Sequence, residues 1–196
     1  MYQFVPPWSA KPAAFLCVEN LFTEEELKRI VEIGDSSEKG VASVGDGKSE
    51  DPRIIEYRKC SVTRIGFNQD TQFIFDKISY CINKENEQNF GFDLYGIVED
   101  LQYTIYDSLG DHYNWHTDLS YGLSPYRKLT VSVQLSDPTE YEGGELQIKD
   151  SDEPITLNKK LGAVSMFPSY TLHRVTPITK GVRKSLVVWV TGKAFR

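Results

Sequence analysis

Apolar residues follow two rhythms along this chain. Up to about residue 90 they recur at helical spacing, and from 91 onward they alternate with polar residues in short runs. Thr23, Glu24, Glu25 and Glu26 form a capping box: the Thr23 hydroxyl can accept from the third helical amide while Glu26 reaches back. Leu27, Ile30 and Val31 then predict an amphipathic helix over 23–34 that stops at Gly34. A second helix is expected over 70–86, with Ile74, Ile78, Cys81 and Ile82 on one face and Phe73, Phe75 and Phe90 in packing roles. Ahead of these helices, Pro6, Pro7 and Pro12 make residues 1–14 an extended lead-in. Residues 35–53 are polar and hold Gly40, Gly45 and Gly47, so a long surface loop separates the first helix from a strand over 58–65.

The second half predicts strands near 93–98, 101–107, 112–117, 128–135, 144–149, 155–158, 162–167, 171–175 and 184–191. Helices first and then many short strands, without βαβ alternation, imply an α+β chain: a jelly-roll sandwich backed by N-terminal helices. At 196 residues this is one domain over 1–196, with 1–90 as helices and variable loop and 91–196 as the β core. A fold of that length has a radius of gyration of about 16 Å and needs no staples.

Composition narrows the partners. The chain is 40% hydrophobic and 26% charged, which suits a soluble globular protein, and its net charge of −6 argues against duplex nucleic acid. Cys17, Cys60 and Cys81 are odd in number, far apart and without a CxxC pair, so reduced, buried thiols in a cytoplasmic setting are expected. The N-terminus shows no signal-peptide pattern, and no apolar run is long enough for a membrane span.

The chemistry resides in three histidines, His112, His116 and His173. His116 and Asp118 are two apart, so on a strand they share a face. A histidine from a distant strand, His173, would complete a two-histidine, one-carboxylate set that leaves open positions on Fe(II) for a co-substrate and O2. Either member alone is equally read as an ordinary hydrogen-bonded residue; the reading depends on convergence. Ten residues after His173 comes Arg183. If the two strands that carry them pair, the guanidinium lies deeper in the same barrel mouth, where it suits bidentate capture of a carboxylate. A surface arginine in the turn 179–184 is the other reading of that spacing. His112 is read as a rim residue, Tyr113 and Trp115 as packing of opposite parity, and Arg174 as pointing away from the metal.

Several ordered segments carry a resemblance: Tyr106 ten residues before His116, the stretch Leu135–Leu146, the stretch Gly162–Ser169, then His173–Pro177, Gly181–Arg183, Trp189 and the terminal Phe195 and Arg196. From Leu101 to Arg196 the chain resembles the Fe(II)- and 2-oxoglutarate-dependent prolyl and lysyl hydroxylases, in particular the small bacterial and viral PKHD-type hydroxylases. The resemblance implies a double-stranded β-helix (jelly-roll, cupin-like) core, Fe(II) on His116, Asp118 and His173, and 2-oxoglutarate with its distal carboxylate on Arg183. Tyr106 and Gln134 are implied as further co-substrate contacts, O2 as second co-substrate, and ascorbate as a candidate reductant. The implied reaction hydroxylates a C–H bond, foremost of a prolyl residue in a peptide or protein, with release of succinate and CO2. Residues 36–56 are the candidate substrate lid. Two rival functions stand beside it: the same chemistry on a free amino acid, other small molecule or nucleobase, and a non-catalytic cupin-like binding module. The fourth protein ligand of a closed zinc site is not evident.

Overall fold

A computed structural model describes residues 13–37, 40–41, 56–119 and 126–194. Most of the expected lid, nearly all of the expected lead-in and the terminal Phe195 and Arg196 lie outside the described residues. Two sheets face each other. The larger has eight strands among the described residues, with β1 (Leu16–Val18), β12 (Val164–Pro168), β8 (Arg127–Gln134), β15 (Arg183–Gly192), β6 (Leu101–Tyr106), β4 (Ser61–Ile65) and β2 (Gly40–Val41) in that order; β5 (Leu94–Gly96) also pairs β15. The smaller runs β11 (Ile155–Thr156), β10 (Leu146–Lys149), β13 (Leu172–Val175), β7 (His112–His116) and β3 (Arg58–Lys59). A ribbon of β9 (Tyr141–Gly143) and β14 (Ile178–Gly181) stands apart. This is the expected double-stranded β-helix, an α+β fold with helices on one side.

The larger sheet is buried on both faces, and its sequence alternation divides them. Leu129, Val131 and Val133 of β8 and Leu186, Val188 and Val190 of β15 belong to the core shared with the helices. The intervening Thr130, Ser132, Gln134, Arg183 and Ser185 are just as buried but face the space between the sheets. Buried polar groups need partners. A whole face of them marks a chamber lined for polar cargo.

Helix α1 (Glu24–Ser36) begins as its capping box requires, with the Glu26 amide donating to Thr23 Oγ1 at 3.2 Å and the Thr23 amide to Glu26 Oε2 at 2.8 Å. It does not stop at Gly34. A Cβ on Gly34 would lie 2.6 Å from the Tyr103 ring, so the glycine serves close helix–sheet contact, and the helix continues for two more residues. Helix α2 (Gln72–Glu85) buries Ile74, Ile78, Cys81 and Ile82, the face expected of it, and Lys77 Nζ reaches back to Glu26 at 2.6 Å.

Three strand expectations are corrected. The stretch 58–65 is two strands in opposite sheets, because the chain crosses between them at Cys60. β9 and β14 form where loop was expected, as glycines with positive φ (Gly143 at 73°, Gly181 at 72°) let their backbones meet. β1 pairs β12 inside the supposed lead-in and its neighbourhood, which leaves Cys17 exposed, whereas Cys60 and Cys81 are buried. No helix among the described residues is long and apolar enough to cross a membrane.

Candidate metal centre and co-substrate cavity

His116 closes β7, and His173 sits opposite it on β13 as its direct cross-strand partner. Their rings are 4.0 Å apart. Each Nδ1 is tied to a backbone carbonyl two residues earlier, His116 to Asn114 O at 2.7 Å and His173 to Thr171 O at 2.9 Å. A carbonyl only accepts, so Nδ1 carries the proton and both Nε2 lone pairs are free.

Asp118 reaches the pair differently from expectation. It lies beyond the end of β7, so strand parity does not aim it. Its amide donates to Ser169 O at 2.9 Å, and Thr130 Oγ1, from the facing sheet, donates to Oδ2 at 2.5 Å. Since the one Thr130 proton is spent there, Ser169 Oγ donates to Thr130 at 3.1 Å. Asp118 Oδ1 is then 3.9 Å from His116 Nε2 and Oδ2 3.6 Å from His173 Nε2. Burial alone would raise the Asp118 carboxyl, but His173, His116 and the Thr130 hydroxyl outweigh it and hold it below the usual carboxylate range. Burial, and then the neighbouring His173, hold His116 far below an ordinary imidazole. The ligand set is therefore ready in its metal-binding protonation state at neutral pH.

The three donor atoms lie within 4.8 Å of one another, and no fourth His, Cys, Asp or Glu joins them among the described residues. Two imidazoles and one carboxylate fit Fe(II) with open positions and do not fit a closed zinc site.

This centre lines a cavity of about 440 Å³ between the sheets. Arg183 lines it too, but from β15 in the larger sheet, opposite Tyr106 of β6. The strands of His173 and Arg183 thus do not pair: the guanidinium reaches the chamber from the facing wall. It is 3% exposed, and its Nη1 has no partner. A buried, unsatisfied guanidinium N–H costs about 1–3 kcal/mol until an anion meets it. Arg183 is no surface residue, and the orphaned donor fits a carboxylate. Tyr106 lines the same cavity, its ring 5.4 Å from the Arg183 guanidinium carbon. Gln134 does not: it faces an adjoining cavity of about 250 Å³ that shares Arg183, and its amide donates to the Tyr141 hydroxyl at 2.9 Å.

Tyr113 overturns its packing assignment. The register between β7 and β13 slips between His173 and Val175, pairing Val175 with Tyr113, so β7 carries an extra residue and parity inverts. The Tyr113 ring consequently stacks on His116 at 3.5 Å and lines the cavity, its phenol pushed up to about 12 by burial. Trp115 instead lies on the outer side beneath Arg174, which donates to Gln147 and points away from the metal as expected. His112 bonds to the carbonyls of Gly110 and Glu56 and takes no part in the centre. Thr130, Ser169 and Tyr141 were not singled out in the sequence; the signal for Thr130 was its polar position in the alternating run 127–134.

A double-stranded β-helix with a His-Asp-His centre and a buried arginine in one chamber defines the class of metal-dependent oxygenases. Residues 101–191 match the 2OG-Fe(II) oxygenase superfamily, and the chain belongs to that superfamily. It is 31% identical over 121 residues to a PKHD-type hydroxylase of Synechococcus sp. (strain JA-2-3B'a(2-13)), covering 58% of this chain and 54% of that one. It is 44% identical over 78 residues to another from Azoarcus sp. (strain BH72), covering 37% of this chain and 34% of that one. The chain thus spans about half the length, or less, of these curated relatives. Its fold is similar to a Trichoplax adhaerens prolyl hydroxylase solved with a hypoxia inducible factor peptide fragment (TM-score 0.71, 16% identity, 91% of this chain and 84% of that one). It is equally similar to a Pseudomonas putida prolyl-4-hydroxylase (TM-score 0.70, 16% identity, 92% and 94%).

Proposed function

We propose that this chain is an Fe(II)- and 2-oxoglutarate-dependent dioxygenase that hydroxylates a prolyl residue of a peptide or protein. One observation carries the reading: an open His-Asp-His set and an unpartnered buried arginine share one chamber. His116 and His173 hold the metal through Nε2 and Asp118 through its carboxylate, with both imidazoles locked by their carbonyl bonds. Arg183 neutralises and orients the far carboxylate of 2-oxoglutarate. Bound there, Fe(II) and 2-oxoglutarate supply the oxidising chemistry, in which one O2 oxygen enters succinate, CO2 leaves, and the other oxygen converts substrate C–H to C–OH. The protein's share is placement in a water-poor chamber whose inner face is already desolvated.

A prolyl substrate is supported by two features. The aromatic walls Tyr113 and Trp189 suit a flat, apolar five-membered ring. The Trichoplax relative of the same fold was solved with a peptide bound. Succinate release from 2-oxoglutarate, followed with and without proline-rich peptides, tests the reading. Wild-type turnover stimulated by a peptide and abolished in both His116→Ala and Arg183→Ala is the expected result. Stimulation by a free amino acid instead would move the substrate class, and absence of both Fe(II) and 2-oxoglutarate binding would leave a binding module.

A further inference from the structure

The arginine chamber has a second, unassigned donor. Tyr141 opens β9 and is 3% exposed, with its ring under Lys159 Nζ at 5.1 Å. Its hydroxyl oxygen accepts from Gln134 Nε2 at 2.9 Å, while Gln134 Nε2 also donates to Ser136 O at 3.3 Å. Among the described residues nothing accepts the phenolic proton. Burial raises the Tyr141 phenol and the Arg183 guanidinium beside it pulls the other way, so at neutral pH the proton is present and available. The neighbouring Gly144 makes this closeness feasible: a Cβ there would lie 2.5 Å from Ile178 and 3.1 Å from Arg183 Cδ. Two unspent donors, the Tyr141 O–H and Arg183 Nη1, therefore occupy adjoining walls of one buried pocket with no acceptor between them. A pair of such donors costs free energy until an anion with two acceptor oxygens enters.

We propose that Tyr141 donates its phenolic proton to the distal carboxylate that Arg183 holds, with Gln134 as a positioning residue that aims the phenol. The proposal rests on the dioxygenase reading and corrects one part of the expected contact set: Gln134 serves the co-substrate through Tyr141, not by direct contact. It also makes the pocket selective for 2-oxo acids that end in a second carboxylate.

Calorimetric titration of the Mn(II)-loaded protein with 2-oxoglutarate and with 2-oxopentanoate, which lacks the distal carboxylate, tests it. Tyr141→Phe keeps the ring under Lys159 and is expected to weaken 2-oxoglutarate roughly 10- to 100-fold, the loss of one buried hydrogen bond to a charge. Its affinities for 2-oxopentanoate and for Mn(II) should equal those of wild type. Gln134→Leu should show a smaller loss in the same direction. Unchanged 2-oxoglutarate affinity in Tyr141→Phe, or equal losses for both acids, would overturn the proposal. Wild type that binds neither acid would overturn the dioxygenase reading along with it, a pattern visible before any variant is made.

Discussion

Thr130→Val is the substitution that most directly tests how the metal carboxylate is held. Thr130 Oγ1 donates to Asp118 Oδ2 at 2.5 Å, both groups are buried, and valine keeps the shape while deleting the donor. A hydrogen bond to a charged group contributes about 1.5–3 kcal/mol, which corresponds to roughly 10- to 150-fold in a dissociation constant. One effect opposes this: without the hydroxyl the carboxylate becomes more basic, which by itself favours a cation. Orientation should win, because Asp118 lies past the end of β7 and its remaining tie is a backbone bond to Ser169. The net expectation is a 10- to 100-fold weaker metal, in line with the usual cost of losing a ligand's hydrogen-bond partner. Anaerobic Fe(II) titration, or Mn(II) titration followed by electron paramagnetic resonance, reads it. Thr130→Ser retains the donor and should bind nearly as wild type. A Thr130→Val affinity within about twofold of wild type, or a Thr130→Ser variant equally impaired, would refute the argument.

Three further outcomes follow from the same contacts. Gly34→Ala places a methyl 2.6 Å from the Tyr103 ring; overpacking of about 1–3 kcal/mol outweighs the helix propensity gained, so the urea midpoint should fall. Thr23→Ala removes the α1 cap and should cost about 1 kcal/mol of stability while metal affinity stays put, since α1 packs on the outer face of the larger sheet. The metal-free protein should lose stability as pH falls below about 6.5, the ordinary histidine value. His116 is depressed in the folded state, so the unfolded chain takes up its proton first and that stability, complete above the unfolded value, drains away on acidification. A urea midpoint that rises on acidification between neutral pH and about pH 5 would contradict this.

The helices were legible because their determinants are local. The capping box from Thr23 to Glu26 and the Ile74, Ile78, Cys81, Ile82 face act within a few residues. The alternating strands were legible for the same reason, and the run 127–134 even announced a polar inner face. Misreadings fell where a distant partner decides. Gly34 looked like a helix stop and is a contact point for Tyr103, sixty-nine positions away in sequence. Tyr113 looked like packing because strand parity was assumed, and a bulge against β13 inverted it.

The candidate site divides along the same line. Residue types alone named His116, Asp118, His173 and Arg183, since few side chains bind a divalent cation or clasp a carboxylate and the ordered motifs around them are specific. Which sheet presents each one could not be read: Arg183 was expected beside His173 and faces it from across the chamber. The sequence by itself determined the chemistry on offer, because that is a property of single side chains and their neighbours in the chain. Only the tertiary structure decided who aims whom, with Thr130 and Ser169 on Asp118, Tyr113 on His116, and Gln134 on Tyr141. Those pairings join residues on different strands, and a hydrogen bond or ring stack depends on distances of a few ångströms that spacing along a chain does not encode.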